Sequence, residues 1–219
     1  MITFEEIQAN GNARVYITEA DKALCALGYT EHSFPHVTKV ANEAGAILAT
    51  LGYSERDVEL ARIAGFLHDI GNLINREGHA QTGAVMAFRM LDHLDMPAED
   101  VAVIVSAIGN HDEGAGHPVN SIAAALILAD KADVRRSRVR NRDASTFDIH
   151  DRVNFSVESS LLRINSEKTS ITLFLDIDTS VSSIMDYFEI FLERMLMCRK
   201  AAEALGLTFS LVINGQTIM

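Results

Sequence analysis

The amino-acid sequence predicts a mainly α-helical protein, in which a helical bundle is followed by a small α+β domain. Apolar residues recur at helical spacing nearly throughout residues 14–137. Alternation with a period of two residues, the pattern of a half-buried strand, follows later at residues 170–178. Residues 135–148 between them are charged and poor in apolar side chains, as an inter-domain crossing would be. We therefore predict a helical domain at residues 1–145 and an α+β domain at residues 146–219.

Start and stop signals divide the helical part into five helices from Phe34 onward. The second helix has the clearest start, because Ser54 and Asp57 have the spacing of a capping box. The fourth opens on Pro97, with two acidic residues in its first turn. The five predicted helices begin near residues 34, 54, 79, 97 and 120, and the last extends to about residue 137.

The C-terminal part combines strands with one long helix. Residues 170–178 place four apolar side chains on one strand face, and the apolar residues at 153–157 suggest a partner strand. Residues 180–205 return to the helical period, and their Phe and Met face is either core or a dimer surface, which leaves a homodimer open. Residues 207–219 predict a hairpin, because Asn214-Gly215 is a strong signal for a two-residue turn.

Composition limits the classes of function open to the chain. A hydrophobic fraction of 48% supplies a buried core and argues against disorder. The net charge of −11 disfavours polyanionic partners, and the absence of Trp argues against a surface that stacks single-stranded bases. We therefore expect no nucleic-acid polymer as a partner, unless positive charge is concentrated locally by a bound metal or an arginine cluster.

The sequence carries no pattern typical of membrane insertion or secretion. No apolar run approaches the roughly 18 residues that cross a bilayer, and the acidic start of the chain lacks the basic region of a signal peptide. Cys25 and Cys198 lie far apart in apolar helical patterns, which is typical of reduced thiols in a core. We expect a cytoplasmic protein without a membrane partner.

Histidine and aspartate recur at the ends of the predicted helices. Neutral imidazoles and carboxylates are natural ligands of divalent metals, and a buried aspartate without a nearby cation is costly. Helical bundles also build metal sites from side chains on facing helices. The candidate ligands are His36, His68, Asp69, His79, His111 and Asp130.

The doublet His68-Asp69 has a specific geometric requirement. Adjacent helical residues point about 100° apart, so both side chains can meet one metal only where the backbone turns at a helix end. Gly71, two residues further on, is expected to allow that turn.

The order of these residues resembles that of the HD superfamily of metal-dependent phosphohydrolases, over roughly residues 34–136. The doublet followed by Ile-Gly is a specific signal in this position. Two branches are similar in their local motifs. The YqeK-type symmetrical diadenosine-tetraphosphate hydrolases are similar at residues 79–84, 107–111 and 127–133. The HD-GYP cyclic-dinucleotide phosphodiesterases are similar at residues 68–71 and 111–118, although the Gly-Tyr-Pro triplet is replaced by Gly116-His117-Pro118.

The resemblance implies a metal site with two ions per chain. One ion would be held by His36, His68, Asp69 and Asp130, and Asp69 would bridge to a second ion held also by His79 and His111. The histidine ligands favour Fe or Mn and allow Co or Ni, whereas Mg prefers oxygen ligands. A hydroxide bridging the two ions would attack phosphorus in a small phosphorylated substrate, so that no protein nucleophile is required.

The sequence departs from both branches at one position. Both usually have Lys three residues after the doublet's Asp, where this chain has Asn72, an uncharged side chain that still hydrogen-bonds phosphate. Compensating charge is expected from Arg76, from Lys131, or from the arginine cluster at residues 135–142, whose other interpretation is a solvated helix end. Asp133, three residues after Asp130 on the same predicted helix face, is expected to orient an arginine or a ligand histidine.

Six further polar residues carry weaker signals, and structural or solvated roles are favoured for most of them. His32, one turn before His36, is interpreted as a surface residue, with a substrate-facing role as the alternative. His150-Asp151 is interpreted as structural, because no partner histidines accompany this second doublet. Asp112 and Glu113 are interpreted as solvated loop residues, with an acid or hydrogen-bonding role as the alternative. His117 could equally line the mouth of the pocket or lie in the loop.

Two other functions remain open from the sequence. Some HD proteins with these six ligands are diiron oxygenases, and oxygen dependence separates that chemistry from hydrolysis. A sensor or interaction module with slow hydrolysis is the second alternative, and an incomplete ligand set would favour it. The complete set favours a metal-dependent phosphohydrolase acting on a nucleotide or another small phosphoester.

Overall fold

The computed structural model describes residues 2–219 and shows a helical bundle followed by a small sheet. The helices, in chain order, are α1 Phe4–Ala9, α2 Gly11–Ala26, α3 Phe34–Leu51, α4 Glu55–Leu67, α5 His79–Asp92, α6 Ala98–Gly109, α7 Ser121–Lys131, α8 Ile149–Ser156 and α9 Ile184–Ala204. The strands are β1 Val157–Ile164, β2 Ser170–Ile177, β3 Thr208–Ile213 and β4 Gln216–Thr217. The predicted fold class, mainly α with a small α+β part, is confirmed.

Capping residues set where several of these helices begin. The Ser54 hydroxyl accepts a hydrogen bond from the Asp57 backbone, and the Asp57 carboxylate accepts one from the Ser54 backbone, so the predicted capping box is present. Ser183 and Asp186 form the same arrangement at the start of α9. Each box satisfies backbone donors that the first helical turn leaves without partners.

Helices α3, α4 and α7 form the centre of the bundle. A Cβ atom at Gly65 on α4 would lie 2.7 Å from the Ala41 Cα on α3, so the two helices pack closer than any other residue would allow there. Helix α7 packs against both, and residues 122–129 of it are completely buried. This close packing brings the beginning of α3 next to the end of α4.

The four-stranded sheet has the order β1-β2-β3-β4. Strand β2 pairs antiparallel with β1 and parallel with β3, and α9 forms the connection between β2 and β3. The alternating side chains of β2 from Ile171 to Ile177 are buried on one face, as predicted. Asn214 and Gly215 both have positive φ, 50° and 78°, and they turn the chain from β3 into β4, which confirms the hairpin.

Buried apolar residues of the bundle and of the sheet belong to one continuous cluster. Helix α9 connects them, because it packs against α7 on one side and against β3 on another. The division of the chain into domains at residue 145 stays a prediction.

Two predicted elements are wrong in detail. Residues 153–156 are helical, because the Asp148 carboxylate accepts a hydrogen bond from the Asp151 backbone and starts α8 there, so the strand begins only at Val157. Helix α7 ends at Lys131, six residues before its predicted end. The arginines that follow do not continue the helix: Arg136 and Arg138 donate to backbone carbonyls, and Arg135 and Arg140 bind carboxylates.

The two cysteines differ in environment, although both were expected in a core. Cys198 is buried in α9, whereas Cys25 on α2 is exposed, and neither forms a disulfide. None of the helices within residues 2–219 combines the length and the apolar character that a bilayer-spanning helix needs.

We predict that the two thiols react with a disulfide reagent at very different rates. Burial raises the pKa of the Cys198 thiol to about 12, so at pH 8 this group carries almost no reactive thiolate, and reagent access is blocked as well. In native protein the Cys25 thiol should react quickly. In a Cys25→Ser variant only Cys198 remains, and it should react more slowly by about 100-fold or more. Unfolded protein is the control, since both thiols should react there. Equal reaction rates of the two thiols in the native protein would contradict the burial of Cys198 in α9.

Candidate metal centre

Six predicted ligands come together from five places in the chain. Four of them, the histidines, are buried with exposed fractions of 0–1%, Asp69 is 5% exposed, and Asp130 is half-buried. Each lies at or near a helix end: His36 in the first turn of α3, His68 and Asp69 just after α4, His79 at the start of α5, His111 after α6, and Asp130 near the end of α7.

One group of candidate metal-ligand atoms, which we call a donor group, surrounds the space between α3, α4 and α7. The Nε2 atom of His36 lies 3.4 Å from Oδ1 of Asp130 and 3.6 Å from Oδ2 of Asp69. The Nε2 atom of His68 lies 3.2 Å from the same Asp69 oxygen and 3.6 Å from the same Asp130 oxygen. Two imidazole nitrogens and two carboxylate oxygens therefore face a common point.

A second group lies on the other side of Asp69. Its Oδ1 atom is 3.6 Å from Nε2 of His79, and that nitrogen is 3.2 Å from Nε2 of His111. The two oxygens of Asp69 thus face different donor groups. The amide of Asn72 fixes this orientation, because its nitrogen donates to Oδ1 of Asp69 at 2.9 Å and to the Asp69 backbone carbonyl at 3.0 Å.

All four imidazoles present the same ring nitrogen to the cluster. Each Nδ1 atom lies within hydrogen-bonding distance of an oxygen outside it: Asp133 Oδ2 for His36, and the backbone carbonyls of Gly65, Arg76 and Ile108 for His68, His79 and His111. Since Nδ1 donates, Nε2 is left with a lone pair, the form in which histidine binds metals. Within residues 2–219, Nε2 of His36 and of His68 has no hydrogen-bond partner.

A lone pair directed at a carboxylate oxygen is repulsive unless positive charge lies between them. Burial disfavours the charged form of His68, yet the Asp69 and Asp130 carboxylates outweigh burial and raise its pKa to about 10. Burial likewise favours neutral Asp69, but His68 and His36 hold the pKa of its carboxyl well below the usual range. The cluster therefore stabilises positive charge at its centre.

A divalent metal ion would supply this charge, and the spacing of the ligand atoms suits such an ion. Ligand atoms about 2.1 Å from one ion are separated from each other by about 3.0–3.4 Å, close to the 3.2–3.6 Å between donors here. Three ligand atoms lie close enough together to share an ion in two combinations: His36, His68 and Asp130 within the first group, and His68, Asp69 and His111 across the two groups. Imidazole nitrogen with carboxylate oxygen suits Fe, Mn, Co or Ni, so the residues present fit divalent metal ions.

Lys131 and Arg76, the expected phosphate partners, have different surroundings. Lys131 is buried, and its Nζ atom lies 2.9 Å from Oδ2 of Asp130 and 3.2 Å from the Glu113 carboxylate, so the lysine neutralises these acids. Arg76 is half-buried at the mouth of the cluster, where Nη1 lies 3.3 Å from the Asn72 amide oxygen. Within residues 2–219, the side-chain partners of the Arg76 guanidinium are the Asn72 amide oxygen and Nε2 of His79, and it forms no salt bridge with a carboxylate.

Asn72 and Asp133 contact other residues of the centre and do not face open solvent. Asn72 is 2% exposed and its amide group is used by Asp69 and Arg76, which differs from the expected phosphate contact. Asp133 lies beyond the end of α7, so it does not share a helix face with Asp130. Its Oδ2 atom is 2.8 Å from Nδ1 of His36, and its Oδ1 atom accepts a 2.8 Å hydrogen bond from Arg135.

Two of the remaining polar residues, His32 and Glu113, lie in surroundings different from those expected. His32 is half-buried, stacks edge-on against His36 with ring centroids 5.4 Å apart, and lines the cleft above the cluster. Glu113 binds Lys131 and Arg194 and is not solvated as expected. Asp112 lies 3.9 Å from Nε2 of His79, and His117 is exposed.

Sequence reasoning missed Arg194 and treated Arg138 only as one member of a cluster. Both line the cleft above the donors, together with Arg76. Arg138 is 4% exposed and donates to the backbone carbonyls of Glu31 and Asp133. Arg194 lies on α9, far from the other site residues in sequence, and no local pattern could have indicated it.

Gly71 has a different function from the one expected. Its φ is not in the left-handed region, so the turn itself does not require glycine. A Cβ atom there would overlap the carbonyl oxygen of His79 and lie 2.5 Å from the backbone nitrogen of Gly83. Glycine is needed because α5 passes directly over this residue, which places His79 next to Asp69.

Comparison with known proteins identifies relatives of part of the chain. The family model described as "HD domain" matches residues 33–151. Ribonuclease Y of Streptococcus agalactiae is 30% identical over 122 residues, which cover 54% of this chain and 21% of the relative. Ribonuclease Y 1 of Pediococcus pentosaceus is 34% identical over 102 residues, 44% of this chain and 18% of the relative. The chain therefore spans about a fifth of the length of these relatives.

A solved structure is also similar. It is described as a predicted HD superfamily hydrolase from an uncultured Thermotogales bacterium and is 24% identical. The match covers 57% of this chain and 67% of that one, with a TM-score of 0.46.

We predict that Gly71→Ala destabilises the protein by about 3 kcal/mol, because the added methyl group must push α5 away from the doublet. Gly114→Ala is the matched control, since a Cβ atom at Gly114 meets nothing within 4 Å, and its effect should stay within about 0.5 kcal/mol. Unfolding in urea measures both. Equal stability of the two variants would show that α5 does not pack as described.

Asp133→Asn should weaken metal retention by about 10- to 100-fold, because the carboxylate that orients His36 through Nδ1 is replaced by a neutral amide. Competition with a chelator for the bound metal measures this affinity. Asp143→Asn, a change at an exposed loop aspartate, is the control and should retain the metal like the unchanged protein. Equal retention by the two variants would contradict the orienting role of Asp133.

Proposed function

The chain belongs to the HD domain family, and on that premise we propose that it is a metal-dependent phosphohydrolase acting on a nucleotide or another small phosphoester. One observation carries this proposal most directly. Four imidazole Nε2 atoms and the carboxylate oxygens of two aspartates converge below a cleft that three arginines line. Metal ligands next to guanidinium groups suit phosphoryl chemistry.

We assign two metal ions to the two donor groups. His36, His68, Asp69 and Asp130 would hold the first ion, and Asp69, His79 and His111 would hold the second. The separate directions of the two Asp69 oxygens support a bridging role for this residue. Iron or manganese suits four imidazoles with two carboxylates better than magnesium does. When bound, the metal supplies a Lewis acid that activates water and stabilises charge on phosphoryl oxygens.

The surrounding residues keep the ligands in place before any ion binds. Asn72 holds the Asp69 carboxylate in one orientation, and Asp133 holds the imidazole of His36. Lys131 binds the Asp130 oxygen that faces away from the histidines. Positioning residues of this kind reduce the reorganisation that binding requires.

Arg76 is the residue best placed to bind the substrate phosphate. Its guanidinium lies 3.4 Å from Nε2 of His79 and is held by the amide oxygen of Asn72. Lys131, by contrast, is neutralised by two acids. Since Arg76 has no carboxylate partner within residues 2–219, its charge is available for a phosphate, and a guanidinium binds two phosphate oxygens at once.

A small substrate agrees with the charge of the chain. The names of the ribonuclease relatives indicate RNA for those proteins, of which this chain spans about a fifth. The net charge of −11 repels a long polyanion, because binding a polymer needs many cationic contacts. A single phosphoester needs only the few cationic groups of the cleft.

Hydrolysis of phosphoesters by the metal-loaded protein tests this proposal. Phosphate release from nucleoside monophosphates and p-nitrophenyl phosphate should be equal in air and under argon. Arg76→Ala should lower kcat/KM by about 10- to 100-fold, because a charged hydrogen bond to phosphate is lost. Arg89→Ala, at an exposed arginine on α5, is the control and should keep the full rate. Product formation only in air would instead support the diiron oxygenase alternative.

A further inference from the structure

A second cavity of about 360 Å³ opens directly beside the cleft above the metal ligands. We call it the outer cavity; its walls are the loop before α3, the turn at Arg138, helix α8 and helix α9. Four residues line both the outer cavity and the cleft, which makes the two spaces continuous: His32, Arg76, Arg138 and Arg194. Its volume lies within the range typical of small-molecule sites.

Three guanidinium groups lie at the end nearest the metal ligands, and two of them, Arg138 and Arg194, are fixed in place and each face one carboxylate, that of Asp133 or Glu113. Nε of Arg194 binds the Glu113 carboxylate at 2.6 Å, and its guanidinium carbon lies 4.5 Å from the centre of the Phe191 ring. Arg138 is held by two backbone carbonyls. These contacts immobilise the guanidinium groups before a ligand arrives, which lowers the entropy cost of binding an anion.

The residues that line the outer cavity but not the cleft have a different chemistry. Tyr29 is 44% exposed, and the guanidinium carbon of Arg76 lies 5.8 Å from the centre of its ring. Helix α8 contributes Asp151 and Asn154, and its capping residue Asp148 also lines the cavity; all three side chains can accept hydrogen bonds. The amide nitrogen of Asn154 donates to the His150 carbonyl, and its amide oxygen accepts no hydrogen bond from residues 2–219.

These groups match a ligand that has an anionic end and a planar end carrying hydrogen-bond donors. We infer that the outer cavity binds the organic part of the phosphoester substrate, with the phosphate at the arginines and a nucleoside-like group against Tyr29 and α8. Aromatic rings stack planar heterocycles, and carboxylate and amide oxygens accept hydrogen bonds from hydroxyl and amino groups. The placement of the phosphate rests on the proposed function.

The C-terminal part of the chain therefore contributes to the choice of substrate, together with Tyr29. Asn154, Phe191 and Arg194 lie outside residues 33–151, the segment that the family model matches. Glu113 connects the two parts, since it binds Lys131 beside the metal ligands and Arg194 on α9. Helices α8 and α9 thus form one wall of a site whose metal ligands all come from the bundle.

Binding measurements test this inference independently of turnover. Calorimetry with the metal-loaded protein would compare inorganic phosphate with the methylenephosphonate analogue of adenosine monophosphate, which resists hydrolysis. The analogue should bind more tightly than phosphate. Tyr29→Ala should reduce that preference by about tenfold, the usual contribution of one stacked base, whereas Tyr29→Phe should retain it because the ring remains.

A variant at Arg194 and a control at Tyr53 test whether the analogue binds in the outer cavity. Arg194→Gln should weaken binding of the analogue by about tenfold, because one guanidinium contact is lost, and its thermal unfolding midpoint shows whether α9 stays folded. Tyr53→Ala, at a 37% exposed tyrosine that lines neither cavity, is the control and should bind like the unchanged protein.

The outcomes separate this inference from the proposed function. Analogue binding no tighter than phosphate, or a preference that Tyr29→Ala leaves unchanged, would overturn the inference even if phosphoesters are hydrolysed. Tighter binding of a short oligoribonucleotide than of the analogue would also overturn it, in favour of a polymer. Tyr29-dependent binding of the analogue without hydrolysis of any phosphoester would support the cavity assignment and overturn the proposed hydrolase.

Discussion

The burial of imidazole lone pairs against carboxylate oxygens is the constraint on which the rest of the structure depends. The Nε2 atoms of His36 and His68 face oxygens of Asp69 and Asp130 at 3.2–3.6 Å without forming hydrogen bonds. Such an arrangement is stable only with positive charge between the donors, supplied by protons or by a cation. A divalent cation at this point would satisfy both carboxylates and both imidazoles at once, so the donor set fits a metal ion.

The helices are arranged so that their ends meet at this point. Close backbone approaches at Gly65 and Gly71 place α3, α4 and α5 near enough for their terminal side chains to share it. The ligand rings are then oriented by groups outside the cluster, such as Asp133 for His36. A polar partner also fixes a side chain of the C-terminal part, because the Glu113 carboxylate holds Arg194 of α9 over the cleft.

Helix caps and apolar periodicity are short-range signals, and they predicted α3 to α7 and α9, apart from the end of α7. The recurrence of His and Asp at helix ends led to the six candidate ligands. These patterns did not predict contacts between distant segments. Arg194 reaches the cleft through the packing of α9 on α7, which no spacing reveals. The predicted role of Gly71, which was to allow a backbone turn, was wrong. Glycine is needed because α5 approaches closely, and such an approach produces no pattern in the neighbouring sequence. The second doublet at His150 was interpreted as structural, yet the fold places it on the outer cavity.

Metal content of protein purified without oxygen tests the central claim most directly. Elemental analysis of the unchanged protein beside an Asp69→Ala variant counts the ions per chain and shows whether the shared carboxylate holds them. We predict close to two Fe or Mn per chain, lost in the variant, because Asp69 faces both donor groups. One ion per chain, or equal content in both proteins, would contradict a paired centre bridged by Asp69.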